Sequence, residues 1–392
     1  MAQEFIQREL EQIKEAGLHR SLRRVESDQG PTLMLDGRKV INFSSNNYLG
    51  IANHPALSAA AKEAIDRYGC GSGASRLISG NMTLHEELEA KVARFKGTEA
   101  ALVFNSGFQA NTGIVATLAG EGDVILSDEL NHASIIDGCR LSRARTVVYA
   151  HADLNQLEIA LKQAAGARRK LIVTETIFSM DGDEAPLVGI VELAERYDAM
   201  VMVDEAHATG IFGPGGAGVV QKLGLGDRVL VQMGTLGKAL GGFGAYIAGS
   251  RGLRELLINR CRSFIFTTSL PPAVVAMALA AIDLVDREAE RREALWNNCR
   301  LLAGGLRRIG FSLNETQSPI LPLIIGAADE CMRFSEELLE RGVFAQGIRP
   351  PTVPPGTSRL RITVMATHAR ENIDRAVEAF KEVKATHEHV SR

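Results

Sequence analysis

Four side chains with acid–base or nucleophilic chemistry follow separate apolar segments of this sequence. They are the imidazoles of His132 and His207, the carboxylate of Asp204 and the amine of Lys238. A lysine in a glycine-rich loop can attack a carbonyl group, and a carboxylate can keep a nearby ring nitrogen protonated. If the apolar segments are neighbouring strands of a parallel sheet, their carboxyl ends lie at one edge. The four side chains are therefore expected to meet in one site.

The segment 105–111 adds a candidate phosphate site. It follows the apolar segment 101–104 and opens a helix, which leaves backbone N–H groups and the positive end of the helix dipole available to an anion. A phosphate site, an imidazole, a strand-end carboxylate and a lysine together favour pyridoxal phosphate (PLP) as cofactor. Lys238 can form a Schiff base with it, and Asp204 can keep its pyridine nitrogen protonated.

Each of these residues alone has an ordinary structural explanation. Lys238 could be one of many solvated lysines, Asp204 could cap a helix, and His132 could be a buried, hydrogen-bonded histidine. Asp204 and His207 could suggest a metal, but no third ligand of suitable spacing accompanies them, so no metal is predicted. The joint pattern, in order at successive strand ends, favours the cofactor.

Two glycine motifs favour other ligands but lack the required context. Residues 69–74 have the spacing of a dinucleotide fingerprint, yet a helical segment precedes them where a strand is needed. Gly237-Lys238 matches part of a P-loop, but Ala239 stands where Ser or Thr is needed. A nicotinamide dehydrogenase is therefore an alternative only if 69–74 is a true fingerprint.

Apolar segments and helical patterns alternate over most of the chain. Helical segments such as 154–167 separate runs that are nearly continuously apolar, as strands buried on both faces are. This alternation predicts an α/β fold with a mainly parallel sheet. The predicted strands are residues 101–104, 124–126, 146–149, 171–174, 200–203 and 229–232.

A second, smaller domain is predicted after Pro271-Pro272. A long helical stretch, 273–309, leads into a tail with two strand patterns and one helix. The N-terminus begins with a charged amphipathic helix over 1–17. We predict an N-terminal segment 1–45 that packs with the small domain, a large PLP-binding domain 46–285 and a small α+β domain 286–392.

Composition excludes several classes of function. Of 392 residues, 44 Lys and Arg against 47 Asp and Glu give a net charge of −3, unlike the basic surface of a nucleic-acid binder. Five cysteines are scattered without a C-x-x-C pair, which indicates reduced thiols. The strongest apolar run, 273–282, is far shorter than the roughly 20 residues of a membrane span. We therefore expect a cytoplasmic protein with neither nucleic acid nor membrane as partner.

Six longer motifs are spread over the chain. They are NFSSNNYLG at 42–50, GSGASR at 71–76, NHAS at 131–134, FSMDG at 178–182, DEAH at 204–207 and GTLGK at 234–238. With them the chain resembles, from near residue 10 to near residue 385, the α-oxoamine synthases, which are PLP enzymes of aminotransferase fold type I. The resemblance implies a large domain with a mainly parallel seven-stranded sheet, a smaller C-terminal α+β domain, and acyltransferase activity with decarboxylation.

The resemblance implies how individual residues bind the ring of PLP. Lys238 holds the cofactor covalently and moves the Cα proton of the amino acid, and Asp204 pairs with the pyridine nitrogen. His132 stacks on the ring and meets the substrate. His207 and Ser179 contact the phenolic edge.

The phosphate is expected to contact residues of two subunits. Gly107, Phe108 and Thr235 hold it within one chain. Because the family builds its site at a homodimer interface, Thr267 and Thr268 are expected to reach the phosphate of the partner subunit.

The resemblance also implies how substrates bind. Arg361 is expected to bind the carboxylate of the amino acid, for which a planar guanidinium is suited. The segment 347–354 is similar to that of family members that join L-alanine to a pimeloyl thioester of CoA or acyl carrier protein. Arg20 and Thr352 match substrate-binding positions, with Arg23 as a rival of Arg20.

Two alternatives stay open at this point. The segments 131–138 and 235–242 are at least as similar to members that join glycine to acetyl-CoA. A PLP-binding or CoA-binding regulator without turnover is the alternative from another class of protein.

Overall fold

The computed structural model describes residues 2–313, 315 and 317–387, and the chain divides into two compact units. One unit spans residues 46–294, and the other contains the described residues of 1–45 and 295–392. The sequence placed the boundary between large and small domain at 285/286, whereas the contacts divide the chain after Ala294, inside a helix.

The two units contain the following elements. The helices are α1 (Ala2–Glu15), α2 (Pro55–Tyr68), α3 (Thr83–Lys96), α4 (Gly107–Leu118), α5 (Ala133–Ser142), α6 (Leu154–Gln163), α7 (Leu187–Arg196), α8 (Val219–Lys222), α9 (Arg251–Arg260), α10 (Arg262–Ile265), α11 (Pro272–Arg287), α12 (Glu290–Arg308), α13 (Ala328–Glu340) and α14 (Arg370–Thr386). The strands are β1 (Thr32–Leu35), β2 (Arg38–Asn42), β3 (Ala100–Phe104), β4 (Val124–Asp128), β5 (Arg145–Tyr149), β6 (Lys170–Glu175), β7 (Met200–Asp204), β8 (Val231–Thr235), β9 (Ala245–Gly249), β10 (Ile320–Gly326), β11 (Val343–Phe344), β12 (Gly347–Ile348) and β13 (Ser358–Thr363).

A seven-stranded sheet organises the unit 46–294. Its strand order is β3-β9-β8-β7-β6-β4-β5, and every pair is parallel except those that β9 makes with β3 and β8. The predicted α/β fold with a mainly parallel sheet is confirmed. Core side chains such as Ile125, Leu171, Met202 and Ile247 have no solvent exposure, as expected of strands covered on both faces.

Strand β9 was missed by the sequence analysis, and its pairing explains why β8 extends beyond its apolar run. The predicted strand ended at Gln232, but β8 continues to Thr235 because Gly234 and Thr235 pair with β9. Gly234 lies beneath the ring of Tyr246, and a Cβ at this position would stand 2.4 Å from that ring. The polar end of β8 is thus fixed by its antiparallel neighbour.

The other unit contains two small sheets. One has the order β10-β13-β12, with antiparallel pairs, and the other the order β1-β2-β11. β1 and β2 form a hairpin whose turn, Asp36-Gly37, has positive φ angles of 48° and 77° at its two residues, which is typical of a tight hairpin turn. The predicted helix 273–309 is two helices, α11 and α12, separated by Glu288 and Ala289.

The helices differ in length and in apolar content. None of those formed by the described residues is both long and apolar enough to cross a bilayer.

Candidate active site

A cleft of about 190 Å³ opens at the carboxyl ends of β6, β7 and β8. It lies in the unit 46–294, where the end of each strand delivers a polar side chain, as the sequence predicted. Its lining consists of Gly107, Phe108, Asn111, His132, Ser134, Glu175, Asp204, Ala206, His207, Met233, Thr235 and Lys238.

Asp204 is the last residue of β7 and is 5% exposed. Both of its carboxylate oxygens accept a hydrogen bond: Oδ2 from Asn111 Nδ2 at 2.8 Å, and Oδ1 from the backbone N–H of Ala206 at 2.8 Å. Two donors at a buried carboxylate stabilise its charged form. Asp204 can therefore present a negative charge to the cleft.

Lys238 lies at one end of a chain of hydrogen bonds. Its Nζ donates to His207 Nε2 at 2.9 Å, and His207 Nδ1 lies 2.7 Å from the hydroxyl of Tyr48. The Tyr48 hydroxyl donates in turn to Asn46 Oδ1 at 3.2 Å. These roles correspond to a neutral His207 whose Nε2 accepts a hydrogen bond from Lys238, so the chain of hydrogen bonds orients the imidazole next to the lysine amine.

His132 is the residue immediately before α5, and its Nδ1 is an acceptor. The backbone N–H of Ser134 donates to it at 3.2 Å, and the Ser134 hydroxyl lies 2.8 Å away. That hydroxyl accepts from Asn111 Nδ2 at 2.9 Å and so donates to His132. The ring of His132 is held neutral and in one orientation at the wall of the cleft, and Asn111 connects it to Asp204.

The N-terminus of α4 supplies the expected phosphate donors. Ser106 Oγ accepts from the backbone N–H of Gln109 at 3.2 Å, which caps the helix. This cap leaves the first two N–H groups of α4, those of Gly107 and Phe108, available at the cleft. Thr235 Oγ1 accepts from the N–H of Gly237 at 3.0 Å and donates to the carbonyl of Gly244 at 3.1 Å, so the hydroxyl also shapes the lysine loop.

Thr267 and Thr268 lie on a segment held beside the end of β3. Asn105 Nδ2 donates to Thr267 Oγ1 at 3.3 Å and to the Thr268 carbonyl at 2.7 Å. Thr268 also forms an isolated bridge with Ser75. Thr268 is exposed and Thr267 half-buried, so both stand at the surface, outside the lining of the cleft.

Ser179 is 9% exposed and sits on a tight turn after β6. The turn is closed by the N–H of Gly182, which donates to the Phe178 carbonyl at 2.9 Å. His151 holds this turn from behind: its Nε2 lies 2.6 Å from Asp183 Oδ2 and its Nδ1 lies 3.0 Å from Asp128 Oδ1. Each ring nitrogen faces a carboxylate oxygen, which requires an imidazolium.

The pKa of His151 gives a testable consequence. Burial lowers this pKa, but the hydrogen bonds to Asp128 and Asp183 outweigh burial and raise it to about 10. Folding thus favours the protonated ring, so its stabilisation is complete below the unfolded pKa of about 6.5 and is lost as the pH rises through about 10. Between pH 6 and pH 10, we expect the free energy of unfolding to fall by about 2 kcal/mol more in the parent than in His151→Gln.

Urea unfolding of the holoenzyme at both pH values measures this difference. His19→Gln, at an exposed position, is the matched control and should follow the parent. Parallel pH profiles of the parent and His151→Gln would show that the ring carries no charge in this arrangement.

A buried ion pair supports the segment that carries Asp204 and His207. Lys96 Nζ contacts the Glu205 carboxylate, and both side chains are fully buried. Lys96 also donates to Gln221 Oε1 at 2.9 Å, and Glu205 Oε1 accepts from the Val220 N–H at 3.0 Å. Burial lowers the pKa of Lys96 while Glu205 opposes that change. The pair fixes the backbone directly after Asp204.

Apart from His132, the predicted substrate-binding residues belong to the other unit. Arg361 lies within β13 and is 8% exposed. Arg20 is exposed, whereas Arg23 forms an ion pair with Glu336, which favours Arg20 as the residue available to a ligand.

The segment 347–354 reaches the N-terminal segment of the same unit. Arg349 Nη2 donates to the carbonyl of His19, and the N–H of Thr352 donates to the Arg349 carbonyl at 3.1 Å. The segment that carries Arg20 therefore lies beside Arg349 and Thr352, although more than 300 positions separate it from them in the sequence.

Three residues of the site were not selected from the sequence. Asn111 and Tyr48 are ordinary polar residues whose role depends on contacts with Asp204 and His207. Glu175 is the last residue of β6 and had the same signal as Asp204, a carboxylate at a strand end. It was missed because the predicted strand ended one residue earlier.

Comparison with known proteins identifies the family of this chain. The family model described as aminotransferase class I and II matches residues 38–380. The chain belongs to this family.

Its relatives define a narrower group. It is 55% identical over 377 residues to an 8-amino-7-oxononanoate synthase of Geobacter sulfurreducens and 51% identical over 381 residues to one of Symbiobacterium thermophilum, with 96–97% of each chain covered. A solved structure of SPT with PLP has a TM-score of 0.92 at 35% identity, with 97% of both chains covered. The 8-amino-7-oxononanoate synthase of Francisella tularensis has a TM-score of 0.77 at 28% identity, with 90% of this chain and 99% of that chain covered.

These matches confirm the predicted class. The chain is a PLP-dependent α-oxoamine synthase and an acyltransferase. The cleft fits the cofactor, because a lysine amine, a doubly hydrogen-bonded carboxylate and the N–H groups at the start of α4 line one space. Residues 69–74 follow helix α2 rather than a strand, so the context of a dinucleotide fingerprint is missing there.

Proposed function

We propose that this enzyme condenses L-alanine with a pimeloyl thioester to 8-amino-7-oxononanoate, CO2 and the free thiol, in the cytoplasm and as a step of biotin synthesis. A bond forms between Cα of alanine and the acyl carbon, the thiolate leaves, and the bond from Cα to the carboxylate breaks. The observation that carries the proposal is the convergence of Lys238, His207 and Asp204 on one cleft. Relatives named 8-amino-7-oxononanoate synthase share 50–55% identity with this chain over nearly its whole length and support the proposal.

Residues that line the cleft, together with Ser179 from the turn after β6, are assigned to parts of PLP. Lys238 would hold the cofactor covalently, and Asp204 would pair with its pyridine nitrogen. The phosphate would be bound by the N–H groups of Gly107 and Phe108 and by Thr235. His132 would cover the ring, and His207 and Ser179 would contact its phenolic edge. When bound, PLP supplies an electron sink that stabilises negative charge at Cα.

Proton transfer is assigned to Lys238 and His207. Lys238 Nζ removes the Cα proton of alanine when it is the free amine, and it returns a proton to the product carbon. His207 Nε2, 2.9 Å from Nζ, accepts a hydrogen bond from the lysine and keeps Nζ in place during both transfers.

Arg361 would bind the carboxylate of alanine. Its position in the middle of β13, between paired neighbours, fixes the backbone that carries the guanidinium. A guanidinium on a rigid strand can bind a carboxylate with two parallel hydrogen bonds and thereby orient Cα.

A homodimer with the site at its interface is supported by exposed apolar side chains beside Thr267 and Thr268. Phe266 is 70% exposed and Ile78 is 80% exposed. The Ser75–Thr268 bridge joins the two segments that carry them. Exposed aromatic and aliphatic side chains next to hydroxyls suit a subunit contact, and sedimentation of the holoenzyme measures whether the dimer forms.

Acyl-chain selectivity tests the proposed substrate. A pimeloyl thioester ends in a second carboxylate that needs a cation or water, whereas an acetyl thioester does not. We expect kcat/KM for pimeloyl-CoA to exceed that for acetyl-CoA by at least about tenfold, or about 1.4 kcal/mol. Arg20→Ala should reduce this ratio chiefly by raising KM for pimeloyl-CoA.

Arg24→Ala is the matched control, because Arg24 is an exposed arginine paired with Glu26 at 2.8 Å. It should leave the ratio unchanged. Preference for glycine with acetyl-CoA would instead define a 2-amino-3-ketobutyrate CoA ligase, and absence of turnover with a bound cofactor would favour a regulator. Comparing pimeloyl-CoA with pimeloyl-acyl carrier protein in the same assay identifies the acyl carrier.

A further inference from the structure

Two carboxyl groups end neighbouring strands at the floor of the cleft. Glu175 closes β6 and Asp204 closes β7, and the two residues are register partners in this parallel pair. Glu175 is 2% exposed and Asp204 is 5% exposed, and both line the cleft. Register partners in a parallel pair lie at adjacent positions, about 5 Å apart. The mechanism above uses only Asp204.

The two carboxyl groups differ in the hydrogen-bond donors that surround them. Both oxygens of Asp204 accept a hydrogen bond, from Asn111 and Ala206. The backbone N–H of His132 is close enough to the carboxyl of Glu175 to favour its charged form, but Oε1 of Glu175 has no hydrogen-bond partner within the part of the chain that is described. A buried carboxylate without donors is costly, whereas a neutral carboxylic acid is not.

The charges around Glu175 shift its pKa in opposite directions. Burial raises the pKa of Glu175 well above its usual range, and the negative charges of Asp204 and, more weakly, Asp128 raise it further. The cation of Lys238 and the backbone N–H of His132 oppose this change. Like charges repel strongly where solvent is excluded, so two buried carboxyl groups on adjacent strands favour a state with a single negative charge.

We propose that Glu175 is a positioning residue that carries the single proton of a carboxyl pair with Asp204, so that Asp204 alone is ionised. Its neutral carboxyl faces the backbone N–H of His132, the residue proposed to cover the cofactor ring, and leaves the negative charge on the group proposed to meet the pyridine nitrogen. The inference rests on the cofactor assignment proposed above. If Asp204 loses its charge, Glu175 ionises more readily.

Infrared spectroscopy of the holoenzyme tests this proposal without any turnover assay. A protonated carboxylic acid has a C=O stretch outside the amide bands, and a surface carboxyl at neutral pH does not contribute to it. We expect such a band at pH 7, its loss in Glu175→Gln, and its persistence in the control Glu158→Gln, at a half-buried position that bonds Tyr197. In Asp204→Asn, the carboxylic acid should ionise, and the band disappear, at a pH about one unit or more below that of the parent.

Three results would overturn the proposal: no such band in the parent, a band that survives Glu175→Gln, or an unchanged titration in Asp204→Asn. If Glu175→Gln does not fold, uniform ¹³C-glutamate labelling of the parent replaces it, because only a glutamate band then shifts. A negative infrared result would reject the shared proton but would not contradict the proposed condensation reaction. A failed assay with alanine and pimeloyl-CoA beside a positive infrared result would instead reject the proposed substrates.

Discussion

Lys238→Ala is expected to reduce turnover by at least about 10³-fold while the protein still folds. The lysine is half-buried in the loop after β8, and its amine donates to His207 Nε2. Truncation removes the proposed covalent anchor of PLP and the proposed proton carrier, but it leaves the sheet intact. Turnover, the visible absorbance band of covalently held PLP and the melting temperature measure these three effects.

Lys222→Ala is the matched control for this substitution. Lys222 lies in the same unit and pairs with Glu184 at 2.7 Å on the surface. It should retain activity and the visible band. Turnover of Lys238→Ala within a few-fold of the parent would remove Lys238 from the reaction.

Asp204→Asn should lower kcat by about 10²- to 10³-fold, the effect expected when a preorganised charge is removed. An amide cannot stabilise a cationic ring nitrogen. It also has only one oxygen for the two donors, Asn111 and the Ala206 N–H, that now bind the carboxylate. We expect PLP to remain bound through its phosphate, so the variant separates cofactor retention from the chemical step.

Single-turnover kinetics with bound PLP measure the step directly. Asp227→Asn, at an exposed position of the same unit, is the control and should behave as the parent does. A parent-like rate of Cα deprotonation in Asp204→Asn would make the carboxylate a structural group.

Much of the large sheet could be predicted from the sequence because its strands are buried on both faces. Strands such as β4 and β6 are continuous apolar runs, and each begins within one residue of its predicted position. β9 escaped prediction because its five residues follow a glycine-rich stretch, and its pairing with the distant β3 leaves no local pattern. The break between α11 and α12 was missed because Glu288 and Ala289 are both compatible with a helix.

The predicted site residues of the large unit could be selected by type and place, but their partners could not. Asp204 and Lys238 stand where strands end, a position visible in the sequence. Asn111 contacts Asp204 from 93 positions away, and Tyr48 contacts His207 from 159 positions away. Such contacts depend on the packing of α4 and of the segment before α2, which no local pattern encodes.

The edge position of β3 has a consequence for how the enzyme is made. Among the residues that the structure describes, β3 pairs only with β9, and β3 leads into the proposed phosphate donors of α4. The ribosome therefore synthesises Asp204 and Lys238 before β9, the strand that ties β3 to the sheet, emerges from the exit tunnel. We expect stalled nascent chains to capture PLP only when they expose residue 249, and PLP fluorescence of a length series measures that threshold. Loading of the cofactor would then report that the sheet is complete.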